Sequence, residues 1–152
     1  MTASFHIWKT NRSIYYKFLQ HNSLDQLNKI PEGFNNNLIW NIGHVIAVQQ
    51  RLVYGLSGLP MNISNEFFEK YKPGTKPQFE ESQDTVELFK KLLITTVDQT
   101  MEDFEEGKFK EYNEYTTSKG FHLTNAADAI TFNNYHEALH LGAMVSLLKF
   151  LP

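Results

Sequence analysis

Apolar residues recur along this chain at the three-to-four-residue spacing of helices that bury one face, and the interruptions divide it into segments. Between Thr2 and His21, Phe5, Trp8, Tyr15, Phe18 and Leu19 fall at helical spacings while Lys9, Arg12 and Lys17 are left for solvent, which predicts a first helix. Ser23 is placed to cap a short turn through Leu24 and Leu27 before Pro31 and Gly33 break the backbone. A second helix follows the run Asn35, Asn36, Asn37, where an asparagine side chain can accept from an uncovered backbone N–H. Its apolar set, Leu38, Ile42, Val45, Ile46, Leu52, Val53 and Leu56, is broad enough for a helix packed on more than one side.

From Gly55 to Glu81 the period dissolves among Gly58, Pro60, Pro73, Gly74 and Pro77, a stretch too long for a hairpin between antiparallel neighbours. It predicts a crossover, with the helices on either side of it parallel. The period resumes from Ser82 to Glu106 through Val86, Phe89, Leu93, Val97, Met101 and Phe104, and Gly107 suits the left-handed position that ends a helix. Glu102, Asp103, Glu105 and Glu106 crowd that end, where the helix dipole disfavours each negative charge by about a few tenths of a kcal/mol, and nothing in the sequence accounts for them. Lys108 to Phe121 reads as a packed loop with room for a short helix. Thr124 is the expected cap of a last helix through Ala129, Ile130, Tyr135, Leu139, Val145 and Leu148. No sheet and no internal repeat are expected. Four long helices with one long crossover make an all-α four-helix bundle.

At 152 residues and 41% hydrophobic, residues 1–152 are expected to form a single domain that buries roughly 70% of its unfolded surface. Cysteine is absent, which leaves histidine and carboxylate as metal ligands and supplies no sulfur nucleophile. A net charge of -3 without a Lys/Arg-rich block gives no field for a phosphate backbone, so nucleic acid is not an expected partner. No apolar run approaches the ~18 residues of a membrane span and the N-terminus lacks a signal-peptide pattern, so neither a membrane association nor export is expected and the location is taken as cytoplasmic.

The chemistry is carried by histidine. His136 and His140 are i, i+4 neighbours on one helix face, about one 5.4 Å turn apart, and can converge on one ion. Their face also holds Ala129, Asn133, Ala143 and Leu147 and is expected to point inward, with Glu137 rotated away by ~100°. His44 lies on the second predicted helix between the small residues Gly43 and Ala47, which allow another helix to approach. Three imidazoles from two facing helices leave an open coordination position for ligand exchange. His6, His21 and His122 have no partner at ligand spacing.

The string His136-Glu137-Ala138-Leu139-His140 also matches the His-Glu-x-x-His metallopeptidase pattern. No glutamate or histidine follows it, Ser146 stands where the extended pattern requires histidine, and no sheet edge is predicted to bind peptide. The peptidase is therefore set aside. Asn41, Asn133, Asn134 and Glu137 are candidate contacts to the ligands or to a substrate, with a helix-surface position the plainer expectation for each.

The segments NNLIWNIGHVIAVQQRLVYGLSG and NNYHEALHLGAMVSLLKFL, with the length and the long connection, resemble the DinB/YfiT-like superfamily of small four-helix metalloproteins. The resemblance covers nearly the whole chain. It implies an up-down-down-up bundle with the long connection between helices two and three, and a divalent metal on His44, His136 and His140. Zinc or nickel are the first expectations, with iron or manganese also accommodated by imidazole. It further implies a transferase that uses a low-molecular-weight thiol such as bacillithiol, mycothiol or glutathione on a small-molecule substrate, and a homodimer. Two alternatives stand beside it: a hydrolase in which the metal activates water, and a non-catalytic, metal-stabilised stress or binding protein.

Overall fold

A computed structural model describes the whole chain, residues 1–152. It is mostly helical: α1 spans Thr2–His21, α2 Leu24–Asn28, α3 Leu38–Gln50, α4 Asn65–Tyr71, α5 Gln83–Glu105 and α6 Ala126–Leu148. No helix is long and apolar enough to cross a membrane.

The helix starts follow from side chains that accept the first free backbone N–H groups. Ser23 and Gln26 form a reciprocal capping box on α2, Asn37 accepts from Trp40 N at the head of α3, and Ser82 heads α5. On α6 the cap is Asn125 rather than Thr124. Asn125 Oδ1 accepts from Asp128 N at 2.9 Å, while Asp128 reaches back to the Thr124 N–H and hydroxyl.

Every residue of α3 is buried, as its broad apolar set requires. It packs against α5 and α6, which in turn pack against α1. At its C-terminal end the helix widens into a π-turn over Arg51–Gly55, closed by Leu56 N donating to Arg51 O, so that Leu52, Val53 and Tyr54 are all buried. This turn has no counterpart in the sequence reading. Tyr54 donates to Asp103 Oδ2 at 2.5 Å, and the turn at Gly107, φ +68°, brings Lys108 Nζ to 2.6 Å from Asp103 Oδ1. Burial alone would raise the Asp103 pKa, but hydrogen bonds from Lys108, Tyr54 and Gln99 outweigh it and hold the carboxyl below its usual range. Asp103 in the acidic end of α5 is thus a buried, paired anchor, and Lys108 also offsets Glu106 at 2.9 Å.

The connections carry structure of their own. Between α3 and α5, Ser64 caps α4, which buries Phe67 and Tyr71 against α3 and α5. The segment 108–121 is a loop without the short helix it had room for, and the expectation of no sheet fails. Tyr115–Thr116 (β1) and His122–Leu123 (β2) pair antiparallel as a two-residue ladder, pinned to the core by buried Leu123. So short a ribbon leaves the all-α class unchanged.

The core has two parts. The larger joins Tyr15, Phe18, Trp40, Ile42, Phe67, Tyr71, Phe89 and Met144, the smaller Phe5, Trp8, Val53, Val97, Leu123 and Ile130. Where α3 meets α4, the Tyr71 ring lies directly against the backbone of Gly43. A Cβ on Gly43 would stand 2.6 Å from the Tyr71 ring, so only glycine admits this packing, and it is what carries Tyr71 to the site.

Candidate metal centre

α3 and α6 bring His44, His136 and His140 together, with one ligand nitrogen from each within 4.8 Å of the others. Ring centroids lie 5.4 Å apart for His44 and His136, 4.8 Å for His44 and His140, and 4.6 Å for His136 and His140. The indole of Trp40, one turn before His44, stacks on its ring at 4.7 Å, and Phe132 flanks His136 at 6.4 Å. His44 is buried, whereas His136 and His140 are partly exposed at the rim.

Two of the rings are oriented from behind. His44 Nδ1 lies 2.8 Å from the Tyr71 carbonyl, which can only accept, so this nitrogen carries the proton and Nε2 keeps its lone pair. His140 Nδ1 lies 2.7 Å from Asn41 Oδ1. His136 Nδ1 is buried without a partner. Burial lowers all three pKa values. His136 is pushed down to about 3 by desolvation, then by His140, His44 and Arg12, and His140 to about 4 by desolvation and then His44. His44 is lowered by desolvation, partly countered by its bond to Tyr71. Metal ligation needs neutral imidazoles, and burial favours the neutral form of all three. The donor set and the unpartnered His136 nitrogen fit a divalent ion.

Glu137 lies elsewhere. It is fully buried, and its Oε1 accepts from Trp8 Nε1 at 2.8 Å, Arg12 Nε at 2.9 Å and Asn133 Nδ2 at 2.9 Å. Arg12 Nη2 also lies 2.8 Å from Oε1, as an ion-pair contact without hydrogen-bond alignment. Tyr15 fixes the same turn by donating to the Glu137 carbonyl at 2.7 Å. The expected inward face of α6 is therefore corrected in part: Ala129, Asn133 and Leu147 are buried as expected, but Ala126, Ile130, Glu137 and Met144 share the core side, while the histidines border it and Ala143 is exposed. Both lines have the same three-four spacing, so period alone does not choose between them. The donors on α1 do. Arg12, expected in solvent, is 3% exposed for this reason.

Of the other candidate polar residues, Asn41 is buried and bonded to His140, not at a helix surface. Asn133 supports Glu137, and Asn134 donates to Ser4 O at 2.9 Å. His6, His21 and His122 are exposed, the last between Thr116 and Glu114. The sequence reading missed Trp40 and Tyr71. Trp40 had a signal, the i, i+4 spacing to His44; Tyr71 acts through its carbonyl, which no side-chain pattern reports.

A three-histidine centre between facing helices of an all-α protein is the arrangement expected of small helical metalloproteins. The DinB superfamily profile matches residues 7–144, and the chain belongs to that superfamily. No individually curated protein matches the chain.

Proposed function

We propose that this protein is a metal-dependent transferase that uses a low-molecular-weight thiol as co-substrate, with His44, His136 and His140 as ligands to zinc or nickel, or to iron or manganese. The observation that carries this is the composition of the cluster: three imidazoles with a ligand nitrogen each within 4.8 Å of the others, in a chain without cysteine. When bound, such an ion lowers the pKa of a thiol or water placed beside it and so supplies a nucleophile. The chain's own residues hold the rings. Tyr71 O accepts the Nδ1 proton of His44, Asn41 Oδ1 lies 2.7 Å from His140 Nδ1, and Trp40 stacks on the His44 ring. Phe121, Phe132 and Tyr135, with centroids 5.0–5.9 Å apart, form an aromatic rim beside His136 for the apolar part of a small electrophile. A hydrolase of the metallopeptidase-like kind would use Glu137, the carboxylate next to His136 in the chain, as its base, and Glu137 is engaged by Arg12 and Trp8 instead.

The four long helices make an up-down-down-up bundle in one domain. The pairs Lys9–Asp98 and Arg12–Thr96 support opposite directions for α1 and α5, while Gln49–Thr100 and Tyr54–Asp103 support parallel α3 and α5. The molecule acts in the cytoplasm as a homodimer, without nucleic acid or membrane as partner. Support for the dimer is the outer face of α6: Tyr135, Leu139 and Val145 are 45–55% exposed, and Glu137, which is buried, is the only charged residue between Ala129 and Leu148. A monomer at micromolar concentration in sedimentation would contradict this.

Cobalt substitution tests the chemistry. Addition of glutathione or another low-molecular-weight thiol is expected to add a sulfur-to-cobalt charge-transfer band, and the protein is expected to turn over an electrophile only with thiol present. Unchanged spectra at saturating thiol would contradict the transferase, and thiol-independent addition of water would point to the hydrolase.

A further inference from the structure

The side chain of Asn41 connects the head of α3 to the centre. Its Nδ2 lies 2.7 Å from the carbonyl of Asn37, the α3 cap, and 3.1 Å from Asn36 Oδ1, while its Oδ1 lies 2.7 Å from His140 Nδ1. Asn41 is 1% exposed, so water does not compete for either end. A backbone carbonyl accepts only, so the end of the amide facing Asn37 must be the NH₂ group. The end facing His140 is then the oxygen. An oxygen acceptor there requires a proton on His140 Nδ1, which leaves the lone pair on Nε2.

We propose that Asn41 is a positioning residue that fixes the tautomer and the ring orientation of His140 before any ion arrives. The Asn36–Asn37 run thereby has two tasks, starting the helix and holding the amide. Asparagine is the suitable residue because the position needs a donor toward Asn37 and an acceptor toward His140 at once. Aspartate has no donor for the carbonyl, and leucine has neither group. Tyr71 does the same for His44 through its backbone carbonyl, so two ligands on two helices are preset by acceptors from the α3 start and the α4 end. Presetting matters because an unheld imidazole must give up the wrong tautomer and its ring rotation when it binds. Partners of this kind typically contribute 10–100-fold to metal affinity.

The assignment rests on the metal centre proposed above, and its test separates the two. Nitrogen-15 NMR of the metal-free protein, labelled in histidine, reads the His140 tautomer directly and requires no metal. The wild-type protein is expected to show protonated Nδ1 at His140. In Asn41→Leu the population should move toward protonated Nε2, and zinc affinity, measured by competition with a chromophoric chelator, should fall roughly 10–100-fold. Asn41→Asp keeps the acceptor toward His140 and should keep protonated Nδ1 there, while the donor lost to Asn37 should lower the urea midpoint. Protonated Nε2 at His140 in the wild-type protein would overturn the proposal whatever the variants do. So would an Asn41→Leu protein with unchanged tautomer and affinity. Failure of the wild-type protein to bind zinc would refute the metal centre instead, with the tautomer result standing on its own.

Discussion

Replacing Glu137 by alanine distinguishes a structural carboxylate from a catalytic one. Trp8 Nε1, Arg12 Nε and Asn133 Nδ2 all lose their acceptor, and the Arg12 guanidinium, 3% exposed, is left as a buried charge without its counter-ion. Removing one partner of a buried ion pair costs about 3–5 kcal/mol. This is a large share of the roughly 5–15 kcal/mol that stabilises a domain. For a chain of this size each kcal/mol lowers the melting temperature by about 2–4 °C, so a fall of about 6–20 °C is expected. The assay is urea unfolding of the metal-free protein at pH 7, followed by circular dichroism. In the double variant Arg12→Met with Glu137→Leu both charges are gone, and replacing a buried pair by apolar groups is often neutral or stabilising. Its stability should therefore recover to well above that of Glu137→Ala, with a coupling of about 3 kcal/mol or more. A Glu137→Ala protein within about 1 kcal/mol of wild type, or an additive cycle, would refute the reasoning. Unchanged stability with lost turnover would make Glu137 the general base of its metallopeptidase-like string.

Acid should destabilise the metal-free protein through the site itself. His136 and His140, at about 3 and about 4 in the folded state, lie below an unfolded value near 6.5, so the unfolded chain binds more protons below that pH. Stability is then complete above about pH 6.5 and declines toward pH 4 by up to about 1.4 kcal/mol per pH unit for each histidine. Urea midpoints that stay level across this range would contradict it, and the double variant His136→Gln with His140→Gln should remove the decline. Gly43→Ala should cost about 1–3 kcal/mol, because its Cβ would lie 2.6 Å from the Tyr71 ring, and should weaken zinc binding as the Tyr71 carbonyl leaves His44. Wild-type unfolding and zinc affinity in that variant would show that the close approach is not needed.

What was legible in the sequence was whatever has a local period or a local cap. The long helices, the caps at Ser23 and Asn37, the left-handed turn at Gly107 and the histidine spacing all depend on residues within a few positions of one another. The phase of α6 was not legible, because Glu137 is drawn inward by Trp8 and Arg12, more than 120 residues earlier. A glutamate beside two histidines reads as a polar face until its distant donors are known. α4 was hidden because its single apolar turn, Phe67 to Tyr71, lies among prolines and glycines that dominate the local signal. Likewise the acidic end of α5 conflicted with the dipole until Lys108 and Tyr54 were seen to reach Asp103.

Metal content in two alanine variants tests the central claim most directly. Purified wild-type protein, His44→Ala and His122→Ala are loaded with zinc, dialysed against a weak chelator and analysed for metal per folded chain. His44 supplies the only ligand from α3, so its loss leaves the two nitrogens of α6, whereas His122 is exposed on the ribbon between Thr116 and Glu114. The account predicts about one zinc per chain in wild type and in His122→Ala, and little in His44→Ala, with all three folded. Full retention in His44→Ala, or equal loss in both variants, would mean that the three histidines do not hold a common ion.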